Sequence, residues 1–595
     1  MRSSYAVFIV ALIWFVLGAF YYPKWNKIGP EAEISWDASG YYHYLPSIFI
    51  YHDVKKQAWM DVINEKYLPS PGFDQAYIHE PSGNKVNKYA IGQAVLYSPF
   101  FFLGHAYAKI TGTYPADGYS KPYQFSIWLG ALLVCILGLW LLRRCLSYYF
   151  EDNLIAWTIL TLGLATNYME YASITNAMNH GWLFTFLCGL IYFSIQFYRK
   201  TNWKTACGIG ITLGLAVLTR PTEIVWIVVP LLWGIDSVSR RLSFLLQHWK
   251  KVLIAIVICA LIMSIQSIYW KYVADEWVIY TYRDQGFDWF HPKIWRGLMG
   301  VQIGWFPYTP IMIVAMFGWR GLYKKYKPIF WPAFITSMLA IYITLCWKHF
   351  ETGGGLGQRN IIQVYPLLAF PLAMSIAWFL KSEIGKWIWI GLFLLNTYYN
   401  MWWSHQAHKG GFFQAGQMNT PYFYKIAGRL HPKRDYLKLL DTKEYFDGKP
   451  HDLKMVYENN FNTDSTSASL ADTRSGERAI VLDAQHQSFG SVSIPLNSSC
   501  SKWMRAEADF TIQTREWDVW KYAQWIIQFY DGDKAIKTNL IRIQRLIPDD
   551  HVNTHLYFDV RLPKQSFTSC TMTIWNGGSP QTIWMDNLSV SCFNP

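Results

Sequence analysis

Long apolar segments recur along the first 403 residues, and they constrain the fold of this chain more than any other feature. A helix that crosses a bilayer needs about 20 mostly apolar residues. In lipid the backbone polar groups must bond within the segment, which favours helices. The sequence therefore predicts a polytopic α-helical membrane protein with about 11 transmembrane helices. The segments are 5–22, 123–142, 153–168, 180–198, 205–219, 222–235, 252–270, 301–319, 329–347, 361–379 and 387–403.

The charges of the chain are distributed as in a membrane protein. Of the 595 residues 52% are hydrophobic and only 16% are charged, and the formal net charge is +13. The basic residues form short clusters between apolar segments, which is typical of cytoplasmic loops that face anionic lipid. We therefore expect membrane lipids, and no nucleic acid, as partners.

Residues 89–108 are a twelfth apolar candidate, interrupted by Gly92, Pro99 and Gly104. If this stretch crossed the membrane, the positive-inside bias would invert in the rest of the chain. We therefore expect an interfacial helix here, a cytoplasmic N-terminus, and an extracytoplasmic location for Asp37 and for everything after residue 403. Because no small-residue cleavage site follows the first segment, we expect an uncleaved anchor.

The C-terminal part has a different pattern. After a linker at 404–452, residues 453–595 show short runs of alternating polar and apolar residues, for example at 503–512. Such runs, separated by turn residues, predict an extracytoplasmic antiparallel β-sandwich. Three of the nine cysteines lie in this region and allow one disulfide with one cysteine left over, and the sequence does not decide the pairing. They are Cys500, Cys570 and Cys592.

The other cysteines indicate no redox or metal site. They lie in or beside apolar segments, where cysteine is typically a small core residue. No Cys-x-x-Cys pair occurs in the chain. We therefore predict no metal and no cofactor.

Three outer loops, 23–122, 271–300 and 348–360, contain most of the reactive residue types. In the first, Asp37 follows an apolar segment and is surrounded by aromatic residues. A carboxylate at the mouth of a membrane cavity can act as a general base on a substrate that is partly in lipid. The alternative is a surface carboxylate in an interfacial aromatic belt.

Two arginines are candidates for binding a phosphate. Arg359 follows a glycine-rich loop and begins an apolar segment, where its guanidinium offers a bidentate fork. The alternative is an arginine that snorkels to the interface. Arg220 lies in a tight outer turn, and the alternative there is a local ion pair with Glu223.

Two further residues are weaker candidates. His180 opens an apolar segment on the outer face, and the alternative is a histidine that bonds the helix end. Glu80 is a candidate second acid, although most loop carboxylates are only solvated. No glycine-rich nucleotide motif is present. An extracytoplasmic enzyme needs an activated donor that is already outside, and a lipid-linked sugar phosphate meets that need.

The order of these motifs resembles the GT-C superfamily of polyprenyl-phosphate-dependent glycosyltransferases, in particular the protein O-mannosyltransferase and aminoarabinose transferase branch. The resemblance covers about residues 5–403. It depends on short sequences that occur in the family's order: Trp36-Asp37-Ala38-Ser39-Gly40-Tyr41-Tyr42, the segment 89–108, Asn179-His180, Gly304-Trp305-Phe306-Pro307-Tyr308-Thr309-Pro310, and Gly353-Gly354-Gly355-Leu356-Gly357-Gln358-Arg359 with Tyr365-Pro366.

The chain departs from the family pattern in two places. Residue 38 is Ala where many members have a second acid, so the identity of the second carboxylate stays open. The Trp-Trp-Asp signature of oligosaccharyltransferases is absent, which counts against a diphosphate donor with a metal. Near the C-terminus, 583–590 looks like the last strand of carbohydrate-binding jelly rolls.

The resemblance implies an inverting glycosyltransferase of the bacterial plasma membrane that uses a polyprenyl-phosphate-linked sugar and a glycan, lipid or protein acceptor. It implies Asp37 as general base, and Glu80 is our own candidate for a second acid. The expected phosphate ligands are Arg359, Arg220 and Lys348, and the expected substrate contacts are Tyr41, Tyr42, His180 and His349. Two alternatives are a transporter or flippase of lipid-linked glycans and a membrane-anchored glycan-binding protein.

Overall fold

The computed structural model describes residues 2–71, 75–351, 354–461, 470–472, 478–495, 500, 502–514 and 521–594. The chain divides into two compact units, Met1–Gly416 and Gln417–Pro595. The division lies inside the segment 404–452, which we expected to be a linker. Each unit is described by itself.

The N-terminal unit is helical apart from one hairpin. Its strands are β1 (Ala76–His79) and β2 (Asn84–Asn87). Its helices are α1 (Ser3–Val16), α2 (Asp37–Tyr42), α3 (Tyr44–Phe49), α4 (Met60–Tyr67), α5 (Gly92–Thr111), α6 (Lys121–Leu146), α7 (Asp152–Leu164), α8 (Tyr168–Ser173), α9 (Asn179–Arg199), α10 (Trp203–Thr219), α11 (Val228–Leu232), α12 (Val238–Gln247), α13 (Trp249–Ala274), α14 (Ile294–Met299), α15 (Trp305–Tyr308), α16 (Ile311–Lys325), α17 (Lys327–Cys346), α18 (Tyr365–Phe379) and α19 (Glu383–His405).

Within the described residues, six helices are long and apolar enough to cross a membrane. Three shorter apolar helices accompany them, at Asp152–Leu164, Trp203–Thr219 and Pro221–Leu232. The structure thus contains a membrane-type helical unit, and the count of 11 spans stays a prediction. The six are Ser3–Asn26, Lys121–Leu146, Asn179–Arg199, Trp249–Ala274, Lys327–Cys346 and Arg359–Phe379.

Apolar surface is left open on several of these helices. Only 11% of the most apolar 18-residue stretch of α13 is buried within the protein. Leu253, Ile256 and Leu261 on this helix are all exposed. An exposed apolar surface of this length is unfavourable in water, because the transfer of apolar groups out of water lowers their free energy. A lipid environment removes that cost for α13.

Helix boundaries follow local sequence signals. Asn202 caps α10 by accepting a hydrogen bond from the backbone N–H of Thr205. The backbone N–H of Asn202 in turn donates to the Thr205 hydroxyl, which makes a capping box. Gly112 follows the last residue of α5, its φ of 63° is left-handed, and glycine adopts this conformation without a steric penalty.

The helices of this unit pack closely. α6 lies against α9, α10 lies between α9 and α13, and α16 lies against α18. At the last contact a Cβ added to Gly318 would lie 1.7 Å from the backbone oxygen of Pro371, so only glycine fits there. Small residues at such crossings allow helix backbones to approach each other in membranes.

The C-terminal unit consists mainly of two antiparallel sheets. A short helix, α20 (Thr420–Ile426), precedes them. The strands are β3 (His451–Asn459), β4 (Leu470–Asp472), β5 (Arg478–Leu482), β6 (Ser488–Ile494), β7 (Trp503–Ile512), β8 (Gln524–Asp531), β9 (Lys534–Arg542), β10 (Thr554–Arg561), β11 (Ser569–Trp575) and β12 (Ile583–Asn594). One sheet has the strand order β10-β7-β12-β5-β4, with β3 also paired to β12, and the other has the order β6-β11-β8-β9.

The two sheets share a buried core. Side chains on β7 alternate between buried and half-buried positions, as period-two sequence requires. The Trp525 ring on β8 lies 5.2 Å from the Phe510 ring of β7 and 6.1 Å from the Phe558 ring of β10. A disulfide joins Cys500 to Cys592, which leaves Cys570 as a buried thiol. The pairing that the sequence left open is thereby assigned.

Asp441 is the centre of a buried ionic network in this unit. Its side chain is 1% exposed and contacts the guanidinium groups of Arg542 and Arg545, the latter at 2.5 Å. Asp441 also accepts a hydrogen bond from the backbone N–H of Arg542 at 2.9 Å. Two cations thus depend on one desolvated carboxylate.

Replacement of Asp441 by Asn is expected to lower the free energy of unfolding of the C-terminal unit by about 3–5 kcal/mol, because it leaves the buried Arg545 without its countercharge. Hydrogen exchange of β8 and β9 in the full-length protein measures this change. The exposed Asp533 in the adjoining turn provides the matched Asp533→Asn control. Equal exchange in both variants would contradict the assignment.

Candidate active site

Asp37 is the first residue of α2, and a strained residue precedes it. Trp36 has a φ of 49°, which is unusual for a residue with a bulky side chain. Its backbone N–H donates to the Pro69 oxygen at 2.9 Å, and its indole N–H donates to the Pro30 oxygen at 3.1 Å. Strained backbone of this kind is often found at functional sites, where surrounding contacts maintain it. These contacts fix the direction in which α2 starts.

Both carboxylate oxygens of Asp37 have partners. Arg359 Nη2 donates to Oδ2 at 2.5 Å, and the Tyr89 hydroxyl donates to Oδ1 at 2.7 Å. The side chains of Asp37 and Arg359 are 20% and 15% exposed. The structure therefore brings together the carboxylate and the guanidinium that the sequence analysis selected, although they lie 322 residues apart.

Gly40 and Tyr41 determine how Tyr89 reaches Asp37. A Cβ added to Gly40 would lie 2.4 Å from the Tyr89 ring, so the absence of a side chain makes room for that ring. The Tyr41 and Tyr89 rings meet edge to face at 4.7 Å. Burial, and then the charge of Asp37, raise the pKa of Tyr89 well above its usual value. Its hydroxyl is therefore a permanent donor to Asp37.

The glycine loop before Arg359 is fixed to α8. The Leu356 N–H donates to the Tyr171 hydroxyl at 2.8 Å. A Cβ on Gly355 would lie 2.5 Å from that hydroxyl oxygen and 2.7 Å from Arg359 Cδ, so the Arg359 stem lies directly against the loop. Gly354 and Gly357 have φ values of 49° and 65°, which favour glycine. Gly353, part of the predicted motif, lies outside the described residues.

Arg220 is held by amide oxygens rather than by a carboxylate. Its Nη1 donates to Asn360 Oδ1 at 3.0 Å and to Gln363 Oε1 at 3.5 Å. Gln363 Nε2 in turn donates to Glu223 Oε1 at 2.5 Å. The proposed local ion pair between Arg220 and Glu223 is thus replaced by a relay through Gln363. Arg359, Asn360 and Gln363 all belong to one 3-10 turn, Arg359–Val364.

His180 lies in the same interior. It is 2% exposed, and its ring meets the Tyr171 ring edge to face at 5.5 Å. The Gln363 side chain lies near, but neither ring nitrogen makes a hydrogen bond of normal geometry to a described residue. A buried polar group without a partner is costly, so this imidazole has unused hydrogen-bonding capacity beside the arginines.

Tyr42, Lys348 and His349 are the remaining residues predicted to bind substrate. The Tyr42 hydroxyl donates to the Gly118 oxygen at 2.6 Å, and its ring is fully buried, which indicates a structural position. Lys348 is exposed, and its backbone N–H donates to the Gly286 oxygen at 2.9 Å. His349 is half-buried next to it. Roles for these three residues in substrate binding stay predictions.

Glu80 lies at the turn of the β1–β2 hairpin, and it makes no hydrogen bond or ion pair with Asp37. It lines an open cleft of 420 Å³ together with Tyr77, Tyr280 and Arg283. In this cleft the Arg283 guanidinium lies 4.1 Å from the centre of the Tyr77 ring. A role of Glu80 as second acid stays a prediction.

Sequence reasoning missed Tyr89, Gln363 and Glu33. A tyrosine near an interfacial helix is expected in any membrane protein, and a glutamine among apolar residues indicates no partner. Glu33 is 2% exposed, and its Oε1 accepts a hydrogen bond from the Ala177 N–H at 3.0 Å. Its other oxygen has no partner among the described residues. Burial raises the pKa of Glu33 to about 7.

This shift in Glu33 predicts a pH-dependent stability. Because the folded protein binds the Glu33 proton more tightly than the unfolded chain, the free energy of unfolding falls as pH rises from 4.5 to about 7. The loss amounts to about 3 kcal/mol. Glu33→Gln retains an acceptor for Ala177 and is expected to remove this slope in thermal melts from pH 4.5 to 8.

The exposed Glu65 on α4 supplies the control, since Glu65→Gln also replaces one carboxylate. A pH slope that survives in the Glu33→Gln variant would exclude Glu33 as its source.

Among the residues that the structure describes, no group of three or more His, Cys, Asp or Glu side chains has the arrangement of a metal site.

Comparison with known proteins gives distant matches. No family model and no curated protein matches the chain. The crystal structure of ArnT from Cupriavidus metallidurans bound to undecaprenyl phosphate is similar over 73% of this chain and 70% of that chain, with 13% identity and a TM-score of 0.40. A family 16 carbohydrate-binding module is similar over 19% of this chain and 77% of that chain, with 15% identity and a TM-score of 0.16. Values this low do not assign a family.

Proposed function

We propose that this protein is a membrane glycosyltransferase that moves a sugar from a polyprenyl-phosphate donor to an acceptor hydroxyl, with inversion at the anomeric carbon. The observation that supports this most directly is the contact of Asp37 with Arg359 at a site bordered by Tyr41, Tyr89 and Tyr171. A base and a phosphate ligand side by side are what a displacement at a sugar phosphate needs.

Asp37 is the general base in this proposal. Its carboxylate takes the proton of the acceptor hydroxyl, and the oxygen attacks the anomeric carbon. The bond from that carbon to the phosphate oxygen breaks, and polyprenyl phosphate leaves with one more negative charge than it had in the donor. Proton removal by a positioned side chain typically contributes a rate factor of about 10²–10⁴.

Arg359 and Arg220 stabilise the departing phosphate. Because its negative charge grows as the bond breaks, these cations interact more strongly with the transition state than with the bound donor, and only such differential binding raises the rate. Arg220 is positioned by the Asn360 and Gln363 amides and has three further guanidinium hydrogens to offer. His180, beside both arginines, is a candidate hydrogen-bond partner for the donor.

The remaining parts of the proposal follow from the sequence. We propose that the reaction takes place at the extracytoplasmic face of the bacterial plasma membrane. The C-terminal unit is then an extracytoplasmic, jelly-roll-like domain that contacts glycans. The acceptor is a glycan, lipid or protein hydroxyl.

The test is transfer of label from a synthetic polyprenyl-phosphate sugar by the full-length protein in lipid nanodiscs. A panel of donor sugars is combined with acceptor extracts, and the anomeric configuration of the product is determined by NMR. Inverted product that depends on the protein supports the proposal. Transport of intact donor across proteoliposomes without cleavage of the sugar–phosphate bond would instead identify a flippase.

A further inference from the structure

The two groups that the proposed reaction needs are engaged with each other. Arg359 Nη2 lies 2.5 Å from Asp37 Oδ2, and Tyr89 occupies Asp37 Oδ1. Both Asp37 oxygens are therefore in contact with groups of the protein, and the one that faces Arg359 is covered by a guanidinium N–H. In this arrangement Arg359 is likewise directed at an anion of the protein itself. The N–H and the lone pair that form this contact become available to a substrate only when the pair separates.

Arg220 differs from Arg359 in its partners. It is fixed by two neutral amide oxygens, and it forms no ion pair with any carboxylate that the structure describes. Glu223 interacts with this half-buried cation through Gln363 and not by direct contact. An incoming phosphate can therefore bind Arg220 without first breaking an ion pair of that arginine.

Competition for Arg359 follows from this geometry. The donor phosphodiester has two charged oxygens and can bond a guanidinium with both of them, whereas Asp37 accepts one hydrogen bond from Arg359. The side chains of Asp37 and Arg359 are only 20% and 15% exposed, so water screens their attraction weakly and an exchange of partners has a large energetic effect. Either the Asp37 carboxylate or the donor phosphate therefore balances the charge of Arg359.

We propose that the donor phosphate displaces Asp37 from Arg359, so that the base is released only when the donor is in place. This exchange makes binding ordered, with donor before acceptor, and prevents Asp37 from activating a hydroxyl when there is no sugar to receive it. The inference rests on the proposed function and adds the regulation of the same site. Tyr89 keeps its bond to the other oxygen and acts as a positioning residue during the exchange.

The inference leads to an unusual expectation for a catalytic variant. Asp37→Asn removes the charge that competes for Arg359, while the amide oxygen of the new side chain can still accept the Tyr89 hydrogen bond. Binding of undecaprenyl phosphate, used as the probe, is expected to become about tenfold tighter in this variant. If the ion pair only stabilised the fold, the same substitution would leave binding unchanged or weaken it.

The experiment measures Kd for undecaprenyl phosphate with the full-length protein in nanodiscs. The variants are wild type, Asp37→Asn, Arg359→Gln, the double variant and Asp61→Asn. Asp61 is exposed on α4 in the same outer loop, so Asp61→Asn controls for the general loss of one negative charge. The gain in affinity for undecaprenyl phosphate is expected only in the single variant Asp37→Asn. It is expected to vanish in the double variant, because the effect of Asp37 on binding requires Arg359 as its partner.

The outcomes separate this inference from the proposed function. If the wild type binds the probe and transfers sugar but Asp37→Asn does not bind the probe more tightly, the exchange is overturned. The proposed glycosyltransferase activity is then still supported. A gain that persists in the Arg359→Gln background also overturns the exchange, since it then reflects net charge. No binding of the probe to any variant overturns both. Product-inhibition kinetics provide a second readout, since the exchange requires donor to bind first.

Discussion

An Asp37→Asn variant is expected to transfer sugar about a thousandfold more slowly than wild type while it remains folded and inserted. The amide has nearly the shape of the carboxylate but cannot accept the acceptor proton, and a positioned general base typically contributes a factor of about 10²–10⁴. Transfer of label from a polyprenyl-phosphate sugar measures the rate. Because Asn removes a competitor for Arg359, the loss is expected in kcat and not in donor affinity.

The Asp61→Asn variant is the matched control, since it makes the same chemical change at an exposed position of the same loop. It is expected to retain wild-type transfer. If Asp37→Asn transferred sugar within a few-fold of this control, another group would have to be the base. Glu80, in the cleft with Tyr77 and Tyr280, would then be the first residue to test by Glu80→Gln.

An Arg359→Gln variant is expected to lose about a hundredfold to a thousandfold in kcat, which is the usual effect of removing one donor to the developing charge of a transition state. Its donor affinity is expected to fall as well. Asp37 loses its cationic partner in this variant. The double variant with Asp37→Asn is therefore expected to be more stable in thermal melts than Arg359→Gln alone.

Arg283→Gln controls for the loss of a positive charge from the loops of the helical unit. The Arg283 guanidinium lies over Tyr77 and forms no ion pair with Asp37. This variant is expected to bind undecaprenyl phosphate with unchanged affinity. Equal losses in the two arginine variants would show that general electrostatic attraction, and not the contact at Arg359, binds the phosphate.

Much of the helical unit is readable from the sequence, because long apolar segments have few alternatives. The expected segments 123–142 and 180–198 correspond to α6 and α9. Other segments are broken where proline interrupts the backbone bonds. The segment 222–235 contains most of the 3-10 turn Pro221–Ile227 and then the short α11. Within 301–319 the four-residue α15 precedes α16.

The direction of side chains was much harder to read. Tyr41 and Tyr42 are adjacent on α2, and successive residues of a helix point about 100° apart. One ring therefore meets Tyr89 beside Asp37, and the other is packed against Tyr97 and Phe101 in the core. Two consecutive tyrosines look alike in a sequence, and only their neighbours in space distinguish them.

Contacts between distant segments were also beyond the sequence. Motif order places Asp37 and Arg359 on one face but gives no information on Tyr89, which reaches Asp37 because Gly40 leaves room for its ring. The relay from Glu223 through Gln363 to Arg220 joins segments about 140 residues apart. Hydrogen bonds of this kind depend on how helices pack, and no local pattern records them.

The short 3-10 turn Arg359–Val364 has a consequence for attempts to alter this protein. Arg359 projects from it toward Asp37, while Asn360 and Gln363 of the same turn hold Arg220. A rotation of the turn therefore shifts both guanidinium groups together. A change of leaving-group specificity would therefore require the six residues of this turn to be redesigned together, because the turn positions both cations.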